Sequence, residues 1–345
     1  MPAVHRPAET LTRFLQCFEQ RPVSRADAAR HGFTRGQLDA AVRRGLLVSP
    51  KYGLLQAADG PDASSRLREP GPDPDAEHLA QIRATLVSVR DEVLVAGDSA
   101  AIVQGIARPS PVAPPEVLLI RPDGSGYGGS STRRRGSPVP DSQRVIVDGI
   151  PVTSVERTAV DVARGRHLPA ALISLDSAAR IIVARETGAT GNRLRECVLI
   201  DDLHELARTR LHEALLSIRG WKGTVRVRDA LAHMHPASES AHESRSRGWF
   251  VEAGLGPLNP GTPIPCGGST YWADFCDIER RVIGEADGWS KYGRTPESIK
   301  KALDAERHRQ AELELDGWRF ARWSTSVGRA SVVHRMSRLL NSPRS

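Results

Sequence analysis

Apolar residues near the start of the chain recur at the spacing of one buried helix face: Leu11, Phe14, Leu15 and Phe18 stand at i, i+3, i+4 and i+7. Two short helices are predicted next. Ser24 precedes Asp27 and Thr34 precedes Gln37, each a hydroxyl cap with an oxygen-bearing side chain three residues on, and Gly32 separates the two at a tight turn. The second ends near Gly45. Leu46-Leu47-Val48, Ser49-Pro50-Lys51 and Tyr52-Gly53-Leu54-Leu55 then read as two short strands around a turn. Three helices followed by a hairpin predict a winged helix-turn-helix over 8–56. In such a motif the second helix of the pair lies in the major groove and the wing touches the backbone. Arg35, Gln37, Arg43 and Arg44 are placed for base or phosphate contacts, and Lys51 for a phosphate contact.

Residues 57–75, AADGPDASSRLREPGPDPD, hold four prolines and few apolar side chains, the composition of a linker. From 76 to 235 short strands and helices mix. Val93-Leu94-Val95, Val117 to Ile120, and Val145-Ile146-Val147 before the Asp148-Gly149 turn are strand-like, whereas Ala159 to Ala163 and Leu168 to Ile182 read as helix. GSGYGG, with Gly124, Gly126 and Gly129, matches the dinucleotide-binding spacing only in letters. It is followed by SSTRRRGSPVP rather than by a helix whose N-terminus could receive a pyrophosphate. A flexible loop carrying Arg133, Arg134 and Arg135 as a phosphate-touching arm is the expectation. HMHPAS at 233–238 marks a break, so 236–345 reads as a third unit, with His233 and His235 as surface residues.

The densest chemistry lies in that third unit. A helix over 239–253 carries Glu243, and Thr270 to Phe275 and Arg281 to Asp287 read as two strands around Glu279-Arg280. That turn places Asp274 opposite Glu285, and Asp287 shares the face of Glu285 two residues on. Opposed carboxylates repel unless a cation lies between them, and hard oxygen ligands suit Mg²⁺ or Mn²⁺ better than zinc. Asp274, Glu285 and Asp287 are therefore the candidate metal ligands, and Glu243 could orient a ligand or a metal-bound water. Lys291 follows, and a Thr295-Pro296-Glu297 cap opens a helix with Arg307 on it, ending at Gly317 before a strand from Trp318 to Trp323. Acids beside Lys291 and Arg307 suit hydrolysis of a phosphodiester. The tryptophans are expected in the core or at its rim, with Trp289 the one suited to stacking on a base.

Composition sharpens the partner class. Forty-eight Lys and Arg against 41 Asp and Glu leave a net charge of +7, and the basic side favours a polyanion. Only five of those residues are Lys, a skew that GC-rich codon usage alone would produce. Cys17, Cys197, Cys266 and Cys276 contain no C-x-x-C pair, and neither a signal peptide nor an 18-residue apolar run is present, so a reduced cytoplasmic protein without membrane association is expected.

The pattern Glu243, Asp274, Glu285-Ala286-Asp287-Gly288 and Lys291 resembles the PD-(D/E)xK restriction-endonuclease superfamily in its very-short-patch-repair-like branch. There the usual E-x-K becomes E-x-D-G, commonly followed by His where Lys291 stands here. The resemblance implies a C-terminal αβββαβ domain with Asp274, Glu285 and Asp287 as catalytic or metal-binding positions and Glu243 as the helix carboxylate. SRADAARHGFTRGQLDAAVRRGLLVSPKYGLLQ is similar to the N-terminal winged helix of AbiEi-type antitoxins, although the usual G-V-Y of the wing is K-Y-G. GDSAAIVQGI and VDGIPVTSVERTAVDVA, with Ser99, Gly105, Thr153, Arg157, Thr158 and Asp161, resemble the middle segment of that architecture. The fold expected is a multidomain α+β protein. Its expected function is double-stranded DNA binding with metal-dependent DNA hydrolysis. The alternative is a non-enzymatic antitoxin or repressor that contacts a cognate toxin and carries an inactive nuclease-like domain.

Overall fold

A computed structural model describes residues 7–18, 23–43, 46–48, 54–57, 73–110, 112–123, 133–136, 138–287 and 309–342. The protein is a mixed α+β chain of two compact units. One comprises Met1–Val95, Val112–Pro138 and Asp148–Pro151, the other Ala96–Pro111, Val139–Val147 and Val152–Ser345. The break expected at 233–238 falls inside the second unit. Among the described residues no helix is long and apolar enough to cross a membrane.

The N-terminal elements run α1 (Pro7–Phe18), β1 (Val23–Ser24), α2 (Arg25–Arg30), α3 (Arg35–Arg43), β2 (Leu47–Val48) and β3 (Leu54–Ala57), with the strands in the order β1-β3-β2. This is the winged-helix arrangement that the sequence predicts, with β1 added. Two residues are too short to show alternation, and Val23 and Ser24 form a strand because β3 offers them partners at Leu55 and Leu54. Both predicted caps form. Ser24 Oγ accepts the Asp27 N–H at 3.0 Å, and Thr34 and Gln37 exchange backbone-to-side-chain bonds of 2.9 and 3.3 Å. Phe14, Phe18, Phe33, Leu38, Leu47 and Leu55 make the core. Leu15, expected on the buried face, is 37% exposed, because α1 buries only the stripe that faces α3 and β3.

After Asp73, whose side chain caps it, α4 spans Pro74–Val87, so the last residues of the predicted linker form its first turn. Strands β4 (Leu94–Val95), β5 (Leu118–Arg121) and β6 (Arg133–Gly136) pair in the order β6-β5-β4. Here the loop expectation is corrected: Arg133, Arg134 and Arg135 lie in a strand parallel to β5, in register with Leu118, Leu119 and Ile120. The free edge of β5 supplies backbone partners, which outweigh the poor strand propensity of a charged run. The GSGYGG segment lies outside the described residues. A hairpin follows, β7 (Arg144–Val147) and β8 (Ile150–Thr153), turning at Asp148-Gly149 with φ of 48° and 76°. Positive φ at both residues is the two-residue turn that Asp-Gly favours.

The second unit opens on α5 (Gly97–Gln104) and gathers α6 (Val155–Ala163), α7 (Leu168–Thr187), α8 (Gly191–Cys197), α9 (Asp201–Leu216) and α10 (Thr224–Leu231) around one apolar cluster. The residues that carry the middle-segment resemblance are structural here. Arg157 is fully buried, donates to Asp161 at 2.9 Å and to Gln143 at 3.3 Å, and lies over the Trp221 ring. Burial raises the Asp161 carboxyl above its ordinary range against the pull of Arg157. Thr153 and Thr158 share a 2.7 Å hydroxyl bond, and Gln104 donates to both residues.

The chain then forms α11 (Ala241–Glu252), β9 (Asn259–Cys266), β10 (Ser269–Asp277), β11 (Val282–Asp287), α12 (residues 309–315), β12 (Arg319–Ser324) and α13 (Arg329–Asn341). The sheet order is β12-β11-β10-β9, antiparallel from β9 to β11 and parallel between β11 and β12. This is the αβββαβ order expected. Phe250, Phe275, Trp323, Val332 and Met336 close one apolar cluster against it. β9 holds Pro260, Pro263 and Pro265, which only an edge strand tolerates, since proline donates no ladder hydrogen bond. Helix α11 packs on α7, with Gly248 against Pro169. Arg247 Nη2 donates to both oxygens of the fully buried Asp176 at 2.6 Å. These contacts tie the 233–238 segment to α7 and α11.

Candidate functional site

The predicted hairpin register holds. Phe275 pairs with Gly284, Cys276 with Ile283 and Asp277 with Val282, so Asp274 stands in line with Glu285. One strand further, Glu285 is in register with Arg322. A row of acid, acid and base thus crosses three neighbouring strands. Asp274 Oδ2 accepts the Ala286 N–H at 2.8 Å, a bond that orients the carboxylate at the strand margin. Glu285 is only 6% exposed, in a setting where a carboxylate requires compensating charge or hydrogen bonds.

Glu243 is held at the start of its own helix. Its Oε2 accepts the Glu239 N–H at 2.7 Å, and its Oε1 accepts the Ser240 hydroxyl at 2.8 Å, while Ser240 Oγ accepts the Glu243 N–H at 3.1 Å. Ser-x-x-Glu at the start of α11 is a capping box, so the helix end engages both carboxylate oxygens.

A cavity of about 60 Å³ has Arg180, Arg195, Glu239, Glu243, Trp272 and Asp274 in its wall. That is room for a few waters or an ionic group. Arg195 forks Glu239 with two bonds of 2.8 Å, and Arg180 adds a third of 2.8 Å to the same carboxylate. Arg195 also lies over the Trp272 ring, 5.9 Å from its centroid. The bond with Glu239 raises the Arg195 pKa above its ordinary value, burial opposes this, and the charges of Glu239, Asp274 and Glu243 add to it. One strand margin therefore gathers carboxylates and guanidinium groups around a solvent-sized space.

The donor chemistry of Asp274 and Glu285 fits a hard divalent cation: two carboxylates in line on adjacent strands, supplied by backbone-fixed positions. Among the described residues no group of three or more His, Cys, Asp or Glu is placed to hold a metal. The third expected ligand, the Asp287 side chain, lies outside them, as do Lys291, Trp289 and Arg307.

On the winged helix, Arg35 is 92% exposed at the start of α3, with Asp39 at 3.8 Å; Asp39 itself binds Arg25 at 2.7 Å. Gln37 turns its side-chain oxygen to its own cap at Thr34. Arg44, Lys51 and the side chain of Arg43 lie outside the described residues.

No family model matches the chain. It is 28% identical over 290 residues, 83% of its length, to uncharacterized proteins from two strains of Mycobacterium tuberculosis, and it covers 88% of each.

His233 is exposed as expected, and His235 is half-buried. Its ring packs on His204 at 4.7 Å and its Nδ1 accepts the Ala237 N–H, and burial, with Arg247 and His204 adding, lowers its pKa to about 3. Among the tryptophans, Trp323 is buried and Trp249, Trp272 and Trp318 are half-buried. Arg180, Arg195 and Glu239 escape a reading along the chain because they come from α7, α8 and the loop before α11. Trp272 carried a usable signal, since it stands two residues from Asp274 and so shares its strand face.

Proposed function

We propose that this protein binds double-stranded DNA through its winged helix and hydrolyses DNA phosphodiesters at the margin of its C-terminal sheet. The observation that carries the reading is the β10–β11 register, which continues to Asp274 opposite Glu285 in an αβββαβ fold, with Asp274 in the wall of a cavity that also holds Arg180 and Arg195. A bound Mg²⁺ or Mn²⁺ would supply an activated water and neutralise phosphate charge. Asp274 and Glu285 are the residues to hold it, with Asp287 as the third ligand that the family resemblance implies. The chain's own contribution is orientation. Ala286 N–H fixes the Asp274 carboxylate, β11 keeps Glu285 in line with it, and Arg195 places positive charge near a developing phosphorane. Lys291 and Arg307 add cations to the same proposal. Arg35 and the Gln37 amide are the groove-facing groups of α3, and a basic net charge favours the encounter.

A second reading has a specific observation in its favour. Glu243 is engaged at both oxygens by its own helix end, which is what a structural αβββαβ domain without turnover would display. The protein would then act as a repressor or antitoxin, bound to DNA through α3 and to a cognate toxin elsewhere. One experiment separates the two: supercoiled and linear DNA incubated in Mg²⁺, Mn²⁺ or EDTA, scored for cutting and for gel retardation, beside Asp274→Ala and Arg35→Ala. Metal-dependent cutting lost in Asp274→Ala supports hydrolysis. Retardation without cutting, lost only in Arg35→Ala, supports the repressor.

A further inference from the structure

The most unusual feature of the cavity is that its two arginines converge on a single carboxylate. Arg195 Nε and Nη2 each bind Glu239 at 2.8 Å, and Arg180 Nη2 binds the same Oε1. A planar fork of this kind matches phosphate as well as carboxylate. We infer that Arg180 and Arg195 form a seat for one phosphate of a nucleic-acid backbone beside Asp274, and that Glu239 occupies this seat in the free protein. The inference rests on the reading of the Asp274 site as one that acts on nucleic acid.

Three features favour displacement over a fixed ion pair. Glu239 is 34% and Arg195 36% exposed, so the exchange takes place at the solvent edge, where a carboxylate is readily rehydrated. The backbone of Glu239 is pinned by its N–H to Glu243, so release needs only a side-chain rotation and leaves the loop in place. The guanidinium groups keep other supports when Glu239 leaves: Arg195 rests over Trp272, and Arg180 Nη1 reaches the Pro236 carbonyl at 3.4 Å. A phosphate in the seat lies in the wall that also holds Asp274, which makes the pair positioning residues for the scissile strand.

The test uses the full chain in EDTA, so that no cutting intervenes, in an Arg35→Ala background that weakens the groove contacts. The affinity for a short fluorescent DNA duplex is read by anisotropy. Glu239→Gln, which frees the seat, tightens binding by about tenfold, the scale of one charge-assisted contact. Adding Arg195→Gln removes the gain and flattens the log affinity against log salt plot by about 0.9, one phosphate contact. A folded Glu239→Gln protein that binds no tighter than its parent overturns the seat and leaves an ordinary clip between α8 and the loop before α11. If Glu239→Gln melts at the assay temperature, Arg195→Lys decides the matter: it keeps the charge but loses the fork, so a seat weakens binding and a clip leaves it unchanged. Cutting in Mg²⁺ is scored separately. Cutting with an unaltered Glu239→Gln affinity removes the seat and keeps the nuclease, whereas a tighter Glu239→Gln without cutting keeps the seat and removes the nuclease.

Discussion

His235 illustrates how one half-buried side chain ties stability to pH. Its folded pKa of about 3 lies below the ordinary imidazole value of 6.5, because charging it would desolvate a cation next to Arg247 and His204. Unfolding therefore takes up a proton at pH values between about 3 and 6.5. The contribution of this neutral ring is complete above pH 6.5 and is lost progressively as the pH falls toward 3. Denaturant unfolding at pH 7, 6, 5 and 4 should show the decline, and His235→Asn, which keeps an acceptor for Ala237 without a titrating ring, should flatten it. Asp176 and Arg247 form the other informative pair. Arg247 also donates to the His233 carbonyl, and Asp176 accepts the His235 N–H at 3.0 Å, so the pair anchors the 233–238 segment. Removing one partner leaves a buried charge: Arg247→Leu should cost about 3–5 kcal/mol, and the double change to Leu at both positions distinctly less. Chemical denaturation of the single and double variants reads this directly.

Among the elements, legibility followed locality. The β10–β11 register could be read because the turn residues and the alternation agree, and the caps of α2 and α3 because a capping box is a four-residue event. β9 was not legible, since three prolines argue against a strand until an edge is known to exist. β6 was hidden because three arginines carry no strand signal and only the open edge of β5 orders them. The meeting of α7 with α11 depends on residues far apart in the chain, and a capping role and a ligand role for Glu243 look alike in sequence. The α7–α11 contact predicts its own failure. A Cβ at Gly248 would stand 2.4 Å from the Pro169 Cα, so Gly248→Ala should force the helices apart and cost about 1–3 kcal/mol, visible as a lowered melting temperature. In the winged helix, Thr34→Ala removes one cap of α3 and should cost about 1 kcal/mol.

At the scale of the whole molecule, the proposed function assigns finding DNA to the winged helix and cutting it to the αβββαβ domain of one basic chain. Binding driven by phosphate contacts weakens steeply with salt, whereas hydrolysis depends on the carboxylate row, so the two activities should separate cleanly by mutation. In the proposed function Asp274 and Glu285 act together on a hard cation. Its most direct test is the rate of plasmid nicking against Mn²⁺ concentration for the wild type, Asp274→Asn and Glu285→Gln. The account predicts a saturable, EDTA-sensitive rate in the wild type and its loss in either variant, with duplex retention unchanged in all three. A wild-type protein that retains DNA but shows no metal-dependent nicking would contradict it, as would nicking that survives both substitutions.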